Sequence, residues 1–429
     1  MFNTKNFFKY ISIIFIYIVI ILYSLELLIT LFLPSKVNEY VDPDYQRYSV
    51  AMARGKPFDT RTYYKAFFDE KKNEPALAPR YQFAGAYFSD VLYGAENPFQ
   101  KLLEQKIKSK NVIPLRGPVN KKTLSCNEGG LRKIANNDKY GFKNKNLIYQ
   151  NKIKFFLVGD SNTHGECEDE NTDIAGFLRN KFNVNAANYG ISGGGPLLSL
   201  ASLSEYALHF KPEYSIYFYS EANDMFELKA EKETFLFKYL NSYTQDLFNR
   251  QDDINSFFID YEKIAYKLYK DKLISEPTKF NENFIARTKD SEDKKTKEMI
   301  KDFFELQKLK NILFTTSFYH NGIDNSIDEK IFTQTLKKMK SITAQWGGKL
   351  IVVYLPDWNR FNSKYSLIKV LHKRKIEKII NSINVDYIDI TERFSKEDNP
   401  IELYPFGLRG HFTPRGYELI ATTIYEKTH

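Results

Sequence analysis

The longest apolar run of the chain lies near its N-terminus, at residues 10–33, and contains a single charged residue, Glu26. About 20 apolar residues suffice for a helix to cross a bilayer, and Pro34 closes the run. No small-residue cleavage site follows, since the first alanine is Ala51. The pattern predicts an uncleaved transmembrane signal anchor, with a buried core helix as the alternative.

Charges on either side of this run predict its orientation. Lys5 and Lys9 precede it, whereas the first charges after Lys36 are acidic. Because positive charge favours the cytoplasmic side, residues 1–9 are expected to be a cytoplasmic tail. The rest of the chain is then periplasmic or otherwise extracytoplasmic, held at the inner membrane by one span.

Downstream of a mixed lead-in region at 34–150, short apolar runs alternate with longer polar-apolar stretches across 151–429. This alternation is typical of a parallel sheet covered by helices. The fold class predicted is α/β, with a doubly wound five-stranded parallel sheet. The predicted strands are residues 154–158, 184–189, 214–219, 350–355 and 385–390.

Between the third and fourth of these strands, residues 226–345 are strongly charged, and apolar residues recur at helical spacing over 227–272. We interpret this stretch as a helical insertion. Its segment 287–297 has no apolar residue, which predicts an exposed connection.

Composition narrows the classes of function. The chain has 62 Lys and Arg against 53 Asp and Glu, a net charge of +9. These charges are interspersed rather than gathered into a basic tract, so a nucleic-acid partner is not expected. The histidines and two cysteines show no metal-ligand spacing, and the glycine run 193–195 lacks the Lys-Ser/Thr of a phosphate loop. No metal or cofactor is expected.

The cysteines, Cys126 and Cys167, leave two readings open. An oxidising exterior would let them pair, and two free buried thiols are the alternative.

The sharpest chemical feature is Gly159-Asp160-Ser161, directly after the predicted strand 154–158. The strand delivers a hydroxyl at its carboxyl end, where open α/β sheets place their sites. On its own the tripeptide also fits a turn with a helix cap.

Three further blocks, at 188–193, 221–224 and 410–417, follow in order. With them the chain resembles the SGNH hydrolases, also called GDSL esterases, in flavodoxin-like strand order. The residues matching the four named positions of that family are Ser161, Gly193, Asn223 and His411.

This resemblance implies a role for each matched residue. Ser161 would be the nucleophile and His411 the base that takes and returns its proton. The oxyanion hole would be formed by the backbone N–H groups of Ser161 and Gly193 and by the side-chain amide of Asn223.

One position departs from the family pattern. An Asp is usual three residues before the His, and here Leu408 stands there. Either His411 works in a dyad oriented by a backbone carbonyl, or a carboxylate comes from elsewhere. The candidates near it in sequence are Asp389, Asp398 and Glu402.

The chain also looks like a bacterial branch of that superfamily with one membrane anchor, linked to surface polysaccharide assembly. The segments that carry this narrower resemblance are 125–128, 138–142, Cys167 and 354–356. It implies a Cys126–Cys167 disulfide beside the active site and a glycan as substrate.

The sequence thus predicts a serine esterase or O-acyltransferase acting on acyl groups of a surface glycan or a small acyl ester. The alternative is a noncatalytic scaffold of envelope polysaccharide assembly that keeps the fold, which Leu408 favours. Protein partners are not indicated.

Overall fold

The structure is a computed structural model that describes residues 4–32, 43–81, 112–275, 301, 303–306, 328–362 and 366–429. The chain divides into two units. One comprises Met1–Gln46 and Phe280–Ser326, and the other comprises Arg47–Lys279 and Ile327–His429.

The first unit contains helix α1, Thr4–Phe32. The hydroxyl of Tyr23 donates to the carbonyl of Phe304 at 3.0 Å, and its ring packs against Phe303 with centroids 5.7 Å apart. Judged by length and hydropathy, none of the helices in the described ranges could cross a membrane. The predicted span 10–33, whose last residue lies outside those ranges, stays a prediction.

The second unit is built on a five-stranded parallel sheet, which confirms the predicted fold class. A two-stranded antiparallel hairpin, β1 and β2, precedes it. The strand order of the main sheet is β4-β3-β5-β6-β7, so the first strand in the sheet lies beside the second and third. The strands are β1 Lys122–Leu124, β2 Ile134–Asn136, β3 Phe155–Val158, β4 Ala186–Asn188, β5 Tyr214–Ser220, β6 Lys349–Leu355 and β7 Asp386–Asp389.

Helices cover both faces of this sheet. Within the described residues, the helices that follow α1 in the chain are α2 Pro43–Ala53, α3 Tyr63–Lys71, α4 Ser161–His164, α5 Ile174–Phe182, α6 Pro196–Ser202, α7 Leu208–Phe210, α8 Asp224–Glu231, α9 Gln251–Ser275, α10 Glu329–Ala344, α11 Ser366–Ser382, α12 Ile390–Phe394 and α13 Pro414–Thr428. A π-helical segment, Leu203–Ala207, joins α6 to α7.

Burial on both faces explains why the sheet strands read as continuous apolar runs. All four residues of β3 are buried. Phe155 and Leu157 belong to a core cluster that includes Leu178 of α5 and Ile420 of α13. Phe156, on the opposite face, stacks on the ring of Tyr189 with centroids 4.2 Å apart.

The lead-in segment contacts the sheet through Asn144. Its side-chain oxygen accepts from the backbone N–H of Asn188, and its amide nitrogen donates to the carbonyl of the same residue, both at 2.9 Å. Asn188 ends β4, so this pair of hydrogen bonds holds the lead-in segment at the carboxyl end of an edge strand.

Within the predicted insertion at 226–345, the structure describes most of α8 and all of α9 and α10. The polar segment 287–297 lies outside the described residues.

Candidate active site

The turn after β3 presents Ser161 at the carboxyl edge of the sheet. Asp160 caps α4, its side-chain oxygen accepting from the backbone N–H of Asn162 at 2.8 Å. The carbonyl of Gly159 accepts from the backbone N–H of Ile191 at 3.0 Å. The Ser161 turn is therefore fixed to the loop that follows β4.

His411 lies against the Ser161 hydroxyl. Its Nε2 is 2.9 Å from Ser161 Oγ, although the two residues are 250 positions apart in the sequence. The backbone N–H of Thr413 donates to the carbonyl of Leu403 at 2.9 Å, and the Thr413 side chain caps α13. These bonds fix the loop that carries His411.

The other ring nitrogen of His411 is occupied by Glu128. Glu128 Oε2 lies 3.0 Å from His411 Nδ1 and also accepts from the His411 backbone N–H at 2.8 Å. Serine, histidine and carboxylate are thus connected in the order required for nucleophilic catalysis.

The prediction that Asp389, Asp398 or Glu402 orients the histidine was wrong, because Glu128 occupies that position. Asp389 caps α12 and pairs with Lys373, and Glu402 pairs with Arg54 at 2.9 Å. Asp398 is exposed. The orienting carboxylate comes instead from the lead-in segment, 283 positions away from His411 in the sequence.

Three local features hold Glu128 in place. The Cys126–Cys167 disulfide is present, which confirms the pairing implied by the resemblance, and it joins the Glu128 segment to the loop after α4. Asn127 donates from its side-chain amide to the carbonyl of Asp59 at 2.8 Å. Gly410 gives the carboxylate room, because a Cβ there would lie 2.7 Å from Glu128 Oε2.

The sequence does contain a signal for Glu128. Segment 125–128 carries both Cys126 and Glu128, and the implied disulfide to Cys167 already placed that segment near the nucleophile turn.

Electrostatics favour an ionised Glu128 beside a protonatable His411. Burial alone would raise the pKa of Glu128, but the charge and hydrogen bond of His411, aided by Arg47, lower it to about 2. Arg47 Nη2 lies 3.5 Å from Glu128 Oε1. Burial acts to lower the pKa of His411, but the charge and hydrogen bond of Glu128, together with the charges of Glu166 and Asp160, outweigh burial and raise that pKa.

The expected oxyanion donors follow three adjacent strands. Ser161 follows β3, Gly193 follows β4 and Asn223 follows β5, and β3 lies between the other two. Gly193 has φ +75°, a left-handed conformation that favours glycine. Asn223 stands at the N-cap position of α8. Because the carboxyl ends of parallel strands meet at one edge of the sheet, all three residues lie at that edge.

His164, also near Ser161, occupies a different environment. It lines a cavity of about 60 Å³ together with Arg80, Glu166 and Ser192. Arg80 pairs with Glu166 and donates to Ser192 Oγ at 3.0 Å. Burial and then the charge of Lys143 lower the pKa of His164 to about 3, so it stays neutral at neutral pH.

Within the described ranges, one group of potential metal-ligating atoms is close together, at Cys126, Glu128 and Cys167. The two sulfurs are bonded to each other, and Glu128 is bonded to His411. These groups are therefore not available as ligands.

Comparison with known proteins gives distant likenesses only. No protein-family model and no curated protein matches the chain. It is similar to a lipase/acylhydrolase from Enterococcus faecalis, at 14% identity and a TM-score of 0.33 over 64% of this chain and 95% of that one. It is also similar to a catalytic mutant of Axe2, an acetylxylan esterase from Geobacillus stearothermophilus, at 12% identity and a TM-score of 0.31 over 64% and 93%.

A third similar structure is an alpha/beta hydrolase enzyme from the metagenome of Lake Arreo, Spain. The identity is 12% and the TM-score 0.33, over 64% of this chain and 94% of that one. At such values these likenesses carry no argument about what this chain does.

Proposed function

We propose that this chain is a serine-dependent acyl-ester enzyme in which Ser161 is the nucleophile, His411 the general base and Glu128 the carboxylate that orients the base. One observation carries the proposal: His411 bridges Ser161 Oγ and Glu128 Oε2 at 2.9 and 3.0 Å. Glu128 accepts from Nδ1–H, so the lone pair of Nε2 faces the hydroxyl.

The reaction proceeds in two steps, the acylation of Ser161 and its deacylation. Ser161 Oγ attacks the ester carbonyl while its proton passes to His411 Nε2, and the tetrahedral oxyanion is bound by the backbone N–H groups of Ser161 and Gly193 and the Asn223 amide. When the intermediate collapses, the His411 proton goes to the departing alcohol. A second hydroxyl, from water or from a sugar, then attacks the acyl-enzyme and gives its proton to His411. As the bond between the acyl group and Ser161 Oγ breaks, His411 returns that proton to Ser161 Oγ.

The noncatalytic scaffold has less to support it than the sequence suggested. Leu408 favoured that reading because it removed the usual orienting carboxylate. Glu128 supplies a carboxylate to the same imidazole nitrogen, so Leu408 no longer counts against catalysis.

The test is covalent labelling of the purified full-length chain with a serine-reactive fluorophosphonate, followed by turnover of an acetyl-ester reporter. We expect one adduct, on Ser161, and neither labelling nor turnover in Ser161→Ala. Ser395→Ala is the matched control, because Ser395 is exposed and its hydroxyl donates only to the nearby Thr391 carbonyl. Equal labelling of wild type and Ser161→Ala would contradict the proposal, as would an inert wild type.

We further propose that the substrate is an acyl group on a surface glycan and that the enzyme works outside the cytoplasmic membrane. The proposal of a glycan substrate rests on the family resemblance alone. The location is supported by the Cys126–Cys167 disulfide, since such bonds persist in oxidising compartments, and by the predicted anchor at 10–33.

Thiol alkylation in intact cells tests the location. In the oxidising compartment we expect both cysteines to resist a thiol reagent until the protein is reduced, after which both react. Immediate modification of Cys126 and Cys167 in the native protein would contradict it.

A further inference from the structure

One helix contacts both segments that carry the proposed oxyanion donors. At the start of α8, the Asn223 side-chain amide donates to Glu227 Oε1 at 2.8 Å. A primary amide has two N–H groups. Glu227 occupies one of them and fixes the plane of the amide, which leaves the second N–H for a substrate oxygen.

The same helix anchors the loop after β4. The fully buried Glu231 accepts from the backbone N–H groups of Gly195 at 2.7 Å, Leu197 at 2.8 Å and Leu198 at 3.2 Å. Gly195 packs directly on α8, because a Cβ there would lie 2.7 Å from the Cβ of Glu227. The loop that carries Gly193 is therefore tied to the helix that orients Asn223.

We propose that Glu227 is a positioning residue, which holds the Asn223 amide in the plane needed to bind the developing oxyanion. The inference rests on the proposed function of Ser161 and adds a residue that makes no contact with the reacting atoms. Its contribution to the rate passes through Asn223.

The charge state of Glu227 suits this role. Burial raises its pKa well above the usual value, and the nearby carboxyls of Asp160, Asp224 and Glu231 raise it further. Burial likewise raises the pKa of Glu231 to about 7. The raised pKa favours the neutral carboxyl, which accepts the amide N–H without placing a negative charge beside the oxyanion.

A double-mutant cycle on the full-length chain tests the inference. Asn223→Ala should lower kcat for an acetyl-ester reporter roughly 100- to 1,000-fold, the usual loss for one oxyanion donor. Glu227→Leu should lower kcat about tenfold or more with little change in KM. The double variant should be no slower than Asn223→Ala, because both changes remove the same interaction.

Glu227→Gln is the conservative variant, because its amide oxygen accepts the same hydrogen bond, and it should keep most of the activity. Glu233→Leu is the matched control, since Glu233 is exposed just beyond the same helix. If the two single losses multiply in the double variant, or if Glu227→Leu keeps full kcat, the positioning role is wrong.

Failure of the proposed function has a different signature. Wild-type protein would then lack turnover that depends on Ser161, and the cycle could not be measured. Turnover that depends on Ser161 but ignores Glu227 would overturn only the positioning role.

Discussion

The two histidines near the nucleophile differ in what surrounds them. Burial acts to lower the pKa of His411, but the charge and hydrogen bond of Glu128, with the charges of other nearby carboxylates, outweigh it and raise the pKa above 6.5. His164 is buried near Lys143, and both influences lower its pKa to about 3. Only His411 can therefore exchange a proton near neutral pH, which agrees with its contact to Ser161 Oγ.

Leu408 and Gly410 together explain how the carboxylate could come from another part of the chain. The side chain of Leu408 has no acceptor for the imidazole. Gly410 lacks the side chain that would collide with Glu128 Oε2. The residue next to His411 thus leaves room for Glu128 to approach the ring.

At the scale of elements, the disulfide connects the segment that carries Glu128 to the loop after the nucleophile helix. Cys126 and Cys167 close a loop with a sequence separation of 41. A disulfide that closes a loop of this size stabilises a fold by about 4 kcal/mol in the chain-entropy model. We therefore expect the bond to stabilise the fold and to restrict the motion of Glu128.

The double variant Cys126→Ser/Cys167→Ser tests that expectation. Its free energy of unfolding in urea should fall by up to about 4 kcal/mol, and kcat should fall at a temperature where it is still folded, because Glu128 is held less firmly. Ser125→Ala, which loses only contacts to local backbone groups, is the control. Unchanged stability and kcat would show that the bond fixes neither the fold nor Glu128.

The strands of the main sheet could be predicted because burial on both faces makes each strand a continuous apolar run in the sequence. Strand β6, predicted at 350–355, is Lys349–Leu355, and β5, predicted at 214–219, is Tyr214–Ser220. The edge strand β4 is shorter than its predicted range 184–189 and covers only Ala186–Asn188. Strand β4 pairs with β3 alone. The apolar run in the sequence extends beyond the residues that form this pairing.

At the scale of the whole molecule, the candidate site combines parts from distant regions of the chain. Ser161 and His411 could be picked out because each lies within a sequence block of the family that the chain resembles. Glu128 could not be assigned in the same way, since the lead-in segment shows no regular apolar pattern. Its contact with His411 exists only in the folded chain, and the cysteine beside it was the one clue in the sequence.

The pH dependence of kcat/KM, measured for wild type and Glu128→Gln on an acetyl-ester reporter, tests whether Glu128 orients His411 for proton transfer from Ser161. In wild type, activity requires neutral His411, so kcat/KM should fall as the pH drops through the raised pKa of that residue, above 6.5.

In Glu128→Gln the midpoint should move to lower pH, because burial still lowers the pKa and the opposing charge is gone. The rate should fall roughly 100- to 10,000-fold as His411 loses the carboxylate that fixes its tautomer and stabilises its charged form, while Glu402→Gln behaves as wild type. A Glu128→Gln enzyme with the wild-type rate and midpoint would contradict the role of Glu128 as the residue that orients His411.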